Sequence, residues 1–407
     1  NNRAGRNRSP RNAHISMILA YDAFRRNIGS LTGGDPWVTP AGGSNFNFTS
    51  DQHATPSSFG GSCSSVFDLF TWPNDHYAKC KIIALGTASG AQPKGGGVGV
   101  RLNTANENGY YLYTNIGGAT FNTFLVKQTA GPVVTVLDSS VNPWALGDEI
   151  YLGIQGTTLT AKRNGVQIAT VIDSDISSGS AGIAYNNTIT EYILDNWEGG
   201  DFSAEPTPSL STLVTDNFDR ANSIGLGVNW SDITGIVQPN IVNNEATSVI
   251  DPFAARYSAI IWPRNQFSQI RCTGVQPITQ TPPDGAGVAV RMNDTGANTC
   301  YYFQIGGAAA QSAGDVRKIV AGVTTNLYIN ILPVITGDVI YIQSVQDVIS
   351  AYINGTCIFA TKDTSISSGQ AGIRGAANPE VVTFDAWRGG GERIFSFPQS
   401  TNILRRN

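Results

Sequence analysis

Few side chains in this sequence are spaced for catalysis. The acidic pair nearest to a catalytic arrangement is Asp148-Glu149. Adjacent residues of a strand point to opposite faces, so these two carboxylates cannot converge on one bond, and the pair reads as a turn entering a strand. The histidines, His14, His53 and His76, are scattered without zinc-ligand spacing. No Gly-x-Ser-x-Gly elbow offers a nucleophile for a Ser-His-Asp hydrolase. Gly95-Gly-Gly-Val-Gly99 is glycine-rich but runs from a polar loop into a strand, which is not a phosphate cradle. Asp35, Asp75, Asp294 and Asp347 stand in turn-like contexts without the alternating run of a calcium loop, so no metal and no cofactor is assigned. The five cysteines, Cys63, Cys80, Cys272, Cys300 and Cys357, form no CxxC pair and read as buried free thiols.

What remains is the chemistry of binding. Sugar recognition needs aromatic faces for stacking and polar side chains for hydroxyl groups. The carbohydrate-binding candidates are Trp72 and Trp262, each followed by proline, together with Tyr110 and Tyr301. Trp37 and Trp230 read as staples of an opening strand, and Trp197 and Trp387 as core plugs.

These residues come in pairs because the chain is duplicated. Residues 146–200 align with 336–390 at a constant offset of 190, without a gap, and 20 of the 55 positions are identical. Gly147-Asp148 recurs as Gly337-Asp338, Asn164-Gly165 as Asn354-Gly355, Ser177-Ser178-Gly179 as Ser367-Ser368-Gly369, and Asp195-x-Trp197 as Asp385-x-Trp387. A period this long is a domain rather than a solenoid unit.

The organisation follows. Residues 1–18 form a basic arm carrying Arg3, Arg6, Arg8 and Arg11, with no apolar signal core. Residues 19–201 and 214–390 are the two domains, 202–213 a Pro/Ser/Thr linker and 391–407 a tail with Phe395 and Phe397. Charged residues make up only 14% of the chain against a usual ~25%, and the net charge of -4 gives no general attraction to nucleic acid. No run of 18 apolar residues could span a bilayer. Short β-branched runs such as Ile150–Ile154 and Val339–Gln343, with an Asn-Gly hairpin signal in each copy, predict antiparallel strands throughout.

Each copy opens on Asp-x-Phe-x-Arg, as Asp22-Ala-Phe-Arg-Arg26 and Asp216-Asn-Phe-Asp-Arg220. Gly97-Val-Gly-Val-Arg101 and Gly287-Val-Ala-Val-Arg291 follow, then a Tyr-Tyr strand, the Gly-Asp turn, the Asn-Gly hairpin and the closing Asp-x-Trp. In this order the residues resemble the concanavalin A-like lectin/glucanase jelly rolls of the laminin-G-like kind, found in bacterial secreted proteins and phage structural proteins. The resemblance covers about 360 residues in two copies. It implies an all-β fold of two tandem antiparallel β-sandwiches with extended terminal arms. Glucanases of that kind carry Glu-x-Asp-x-Glu on one strand face, and this sequence has no such run, so an enzyme is not expected.

The leading expectation is a structural or adhesive virion protein, a capsid decoration or fibre protein of a tailed phage. It would sit at the virion surface and contact itself and other virion proteins through Arg3, Arg6, Arg8, Arg11, Phe395 and Phe397, with cell-surface glycans as further partners and neither membrane nor nucleic acid. The alternative is a secreted, extracellular bacterial carbohydrate-binding protein whose two modules act by avidity. A glycan hydrolase with an unrecognised site comes third.

Overall fold

The computed structural model describes residues 16–24, 36–41, 44, 46–48, 53–57, 62–85, 95–114, 123–129, 133–140, 144–186, 192–204, 213–247, 252–275, 285–294, 298–305, 314–331, 334–376 and 382–391. All regular structure among them is strand, and the ladders between strands are antiparallel, as the hairpin signals predict. In the first repeat, a seven-stranded sheet runs in the order Val133–Ser140, Thr123–Thr129, Gly109–Thr114, Gly95–Leu102, Ser180–Asn186, Ser62–Phe67 and Trp37–Val38. It packs on a second layer ordered Val166–Ile172, Thr158–Arg163, Glu149–Gln155, His76–Ala84, Ile193–Ala204 and Ser16–Asp22. The second repeat builds the same two layers, its seven-stranded sheet running from Trp230–Asp232 to Val323–Ile331. This is the β-sandwich architecture expected, once per repeat.

The two outer layers are continuous. Strand Ser16–Asp22 pairs on one side with Ile193–Ala204 and on the other with Thr356–Lys362, which fuses them into one 16-stranded sheet. Regular structure also passes the boundaries read from sequence: Ile193–Ala204 extends beyond residue 201, Leu213–Asp216 begins before 214, and Val382–Gly391 includes Gly391. The basic residues Arg3, Arg6, Arg8 and Arg11, and the tail residues Phe395 and Phe397, lie outside the described residues.

The duplicated motifs are structural devices. In Asp-x-Trp the middle residue is left-handed, Asn196 at φ 50° and Ala386 at φ 53°, and the ladder slips register there. Such a bulge re-aims the next side chain. Trp197 and Trp387 therefore point inward and are fully buried, edge-on to Trp37 at 4.8 Å and to Trp230 at 4.7 Å. In Asp-x-Phe the carboxylate accepts the N–H two residues on and the indole N–H of that staple. Asp22 accepts Phe24 N at 2.7 Å and Trp37 Nε1 at 2.6 Å, and Asp216 accepts Phe218 N at 2.9 Å and Trp230 Nε1 at 2.8 Å. The arginine of Gly-Val-x-Val-Arg is buried but caps carbonyls: Arg101 donates to Asn74, Ile176 and Gly156, and Arg291 to Ile366 and Gln346.

Gly-Asp and Asn-Gly, distant in sequence, are one unit. Asp148 accepts Asn164 Nδ2 at 2.6 Å while Asn164 Oδ1 accepts Glu149 N at 2.8 Å; Asp338, Asn354 and Val339 repeat the arrangement at 2.7 and 2.9 Å. The Ser-Ser-Gly loop ends at Gly179 and Gly369, where an added Cβ would fall 2.5 Å from a backbone oxygen of Arg101 or Arg291. All five cysteines are free and buried.

Candidate functional site

The outer layer of the first repeat turns one face away from the core. Alternation along its strands decides which residues line that face. On Glu149–Gln155, Ile150, Leu152 and Ile154 point inward and are fully buried, leaving Tyr151, Gly153 and Gln155 outside. On Thr158–Arg163 the outward set is Thr158, Thr160 and Lys162. With Gln167 and Phe202 these residues line an open groove of about 400 Å³.

Two aromatic residues, Tyr151 and Phe202, line the groove, and the buried Tyr77 packs against both. Tyr77 and Tyr151 stack with ring centroids 5.3 Å apart, and Phe202 stands 6.2 Å from Tyr77. Lys162 Nζ lies 4.6 Å from the Tyr151 ring centre, and it forms no ion pair among the described residues. Gly153 makes room for the phenol: a Cβ there would sit 2.6 Å from the Tyr151 hydroxyl. Thr158, Thr160, Gln155 and Gln167 supply hydroxyl and amide groups around it.

Beside the groove is a compact charge cluster. Lys79 Nζ lies 3.3 Å from Glu149 and 3.2 Å from Glu198, and the Tyr77 hydroxyl donates to Glu198 at 2.7 Å. Burial pushes the Glu198 carboxyl up, against the pull of Lys79 and Tyr77. For Lys79, burial works to lower the ammonium, but Glu198 and Glu149 together hold it above its ordinary value. The two directions have one origin. A single cation serves two carboxylates, so the cation gains twice and the more buried acid keeps part of its desolvation cost.

The second repeat has the same frame and a different surface. Phe267 stacks on Tyr341 at 5.3 Å, as Tyr77 does on Tyr151. Gln343 replaces Gly153 by the 190-residue offset, and its amide bonds the Tyr341 hydroxyl, Ser350 and the Tyr352 hydroxyl at 2.8 to 3.0 Å. Tyr341, Gln343, Ser350 and Tyr352 are all buried. The space that is open in the first repeat is occupied in the second.

The residues that sequence singled out lie elsewhere. Trp72 is buried, its indole N–H donating to Phe67 O at 2.7 Å, and Trp262 is half-buried and donates to Tyr257 O at 2.6 Å. Tyr110 and Tyr301 are fully buried. Each donates its hydroxyl to an aspartate at 2.6 Å, Asp173 or Asp363, which also holds a lysine, Lys127 or Lys318, at 2.6 Å. The same hydroxyls accept Ile176 N and Ile366 N at 3.1 Å, tying down the Ile-Ser-Ser-Gly loops. Buried rings have no face for a sugar, and these tyrosines act as loop anchors.

Of the turn aspartates, Asp75 accepts Gly156 N at 2.8 Å, Asp294 holds Thr234 and Asp347 pairs with Arg264; Asp35 lies outside the described residues. No group of three or more metal-ligating side chains occurs among the described residues. The groove itself was missed because alternation hides it. Gly153 and Lys162 look like ordinary strand residues until the ladder sets them across from Tyr77 and Gln167. The one available signal was Gly153 aligned with Gln343, two residues after the Ile-Tyr that both repeats share.

No family model and no curated protein matches the chain. Among solved structures it is similar to a carbohydrate-binding module from Bacillus subtilis, at 15% identity over 41% of this chain and 96% of that one, with a TM-score of 0.33. It is also similar to a Bacillus subtilis protein of galectin-like fold, at 11% identity over 46% and 98% with a TM-score of 0.33. A third is domain 4 of an extracellular arabinanase from Geobacillus stearothermophilus in complex with arabinotriose, at 12% identity over 46% and 93% with a TM-score of 0.30. At these scores the likenesses carry no argument about ligand or activity.

Proposed function

We propose that this protein binds a saccharide in the groove of its first repeat, without catalysis. The observation that carries the reading is the contrast between the repeats. Both keep the stacked aromatic pair, but only the first leaves its outer ring, Tyr151, half-buried in a groove ringed by Thr158, Thr160, Gln155 and Gln167, whereas Tyr341 is buried. Aromatic surface with convergent hydroxyls and amides is the chemistry of sugar recognition. Lys162 adds a cation that suits a carboxylated sugar. A non-catalytic role is supported by the charge cluster, in which Lys79 ties up both neighbouring carboxylates, Glu149 and Glu198. With this groove open in the first repeat and its counterpart filled in the second, avidity would come from copies of the chain rather than from its two repeats. The reading includes lectin-like modules at 19–201 and 214–390 joined by 202–213, and an extracellular setting where glycans are met.

The test is retention of the purified chain on immobilised neutral and uronate-containing polysaccharides. Gly153→Gln, which copies the occupied state of the second repeat, should abolish retention with the fold intact. Lys162→Gln should weaken only the uronate arm. Absence of retention on every polysaccharide, or retention unchanged in Gly153→Gln, would refute the reading.

A further inference from the structure

The junction between the repeats is made from parts that the chain contains twice. Strand Ser16–Asp22 opens the first repeat and lays its free edge on Thr356–Lys362, with Ala20 opposite Thr361, Tyr21 opposite Ala360 and Asp22 opposite Phe359. Ala23 N then donates to Ile358 O at 3.5 Å. The counterpart of the opening strand is Leu213–Asp216, which pairs with Trp387–Gly390 as Ser16–Asp22 pairs with Ile193–Ala204. The counterpart of the receiving strand is Val166–Ile172, by the 190-residue offset.

Both counterparts have one unpaired edge among the described residues. Val166–Ile172 ends its sheet, pairing only with Thr158–Arg163, and Leu213–Asp216 pairs only with Val382–Gly391. Edge strands normally carry a guard against further pairing: a charge, a proline or a covering element. Val166–Ile172 has neither charge nor proline, and Val166 and Ile172 are 68% and 77% exposed. Leu213-Val214-Thr215 likewise carries neither charge nor proline, with Leu213 45% exposed, and the strand's one charge, Asp216, is paired with Arg220.

We infer that copies of this chain join head to tail, the Leu213–Asp216 edge of one copy pairing antiparallel with the Val166–Ile172 edge of the next, in the register that the chain already uses internally. That register sets Val214 opposite Val171, Thr215 opposite Thr170 and Asp216 opposite Ala169, and aims Asn217 N at Ile168 O. Val–Val and Thr–Thr are favourable cross-strand neighbours. One contact does not carry over. Tyr328, whose hydroxyl donates to Asp22 at 2.8 Å, lies opposite Val316; the matching register position in the first repeat is Asp138, opposite Leu125. Asp216 is paired with Arg220 at 2.7 Å. The interface is heterologous, since each copy offers a different strand at each end. Its product is a ring or a filament rather than a two-fold dimer. The inference does not rest on the saccharide reading.

The test is the mass of the full-length chain by light scattering across a concentration series. The native chain should grow past two copies as concentration rises. Thr215→Lys alone and Thr170→Lys alone should each lower the association, and the double Thr170→Lys/Thr215→Lys chain, which sets like charges opposite each other, should remain monomeric. Thr170→Lys/Thr215→Glu should restore growth. Both positions are exposed, and a thermal melt matching the native chain confirms that loss of association is not loss of fold. A native chain that stays monomeric throughout overturns the inference. So does association unaffected by Thr215→Lys, or association that survives in the double-lysine chain.

Discussion

Replacing His76 by glutamine should remove a pH dependence of stability while leaving the neutral-pH fold almost unchanged. His76 is fully buried on the inner face of its strand. Its Nδ1 lies 2.7 Å from Pro73 O, and its Nε2 accepts Arg101 N at 3.0 Å. One neutral tautomer satisfies both contacts, with Nδ1–H donating and Nε2 accepting. Protonation would turn a donor toward a donor in a site without water's polarity. Burial first, and the Arg101 charge beside it, bring the imidazole down from its ordinary 6.5 to about 4.

The unfolded chain takes up this proton as the pH drops below 6.5, while the folded chain refuses it until about 4. Stability contributed by the neutral ring is therefore complete above 6.5 and is lost as the pH falls through that window. A shift of this size is worth about 3 kcal/mol. The second repeat shows what glutamine does in the same place. Gln266 Nε2 donates to Pro263 O and its Oε1 accepts Arg291 N, both at 3.0 Å. The assay is urea unfolding of native and His76→Gln chains at pH 7 and pH 4, where carboxylates common to both cancel in the difference. At pH 7 the two should agree to within about 1 kcal/mol, and by pH 4 the variant should have gained about 2–3 kcal/mol on the native chain. A difference that does not move with pH refutes the reasoning, as does a loss above about 3 kcal/mol at pH 7.

Two other outcomes are expected. Asp22→Ala strands three buried donors, Phe24 N, Trp37 Nε1 and the Tyr328 hydroxyl, and should cost at least about 3 kcal/mol by chemical denaturation. In thiol titration the folded chain should give no rapidly reacting cysteine, and denaturant should release all five, because every thiol is buried.

The fold was largely legible because the repeat marks its own scaffold. Asn164-Gly165 predicts its hairpin through local sterics alone, with both residues left-handed at φ 49° and 78°. The functions of other repeated residues were not legible, since they depend on partners far away in sequence. Tyr110 and Tyr301 look like sugar platforms until the ladder buries them above Asp173 and Asp363. His76 has no histidine counterpart in the second repeat, yet Gln266, at the same place, makes equivalent bonds with different atoms. Identity in an alignment tracks side-chain shape, whereas this site conserves only the order of an acceptor and a donor. The groove depends on which face each strand turns outward, and that is settled by register.

The strand that closes the junction also has a meaning in time. Ser16–Asp22 is made early, but part of its pairing is with residues 359–361, which are made some 340 positions later. Non-local pairing of this kind slows folding, because chain entropy must be given up before the contact rewards it. On the ribosome the first repeat can build its core and still wait with its opening edge bare. Vectorial synthesis thus exposes longest the surface that the finished protein covers last, and a chain truncated before residue 359 would keep that edge for good.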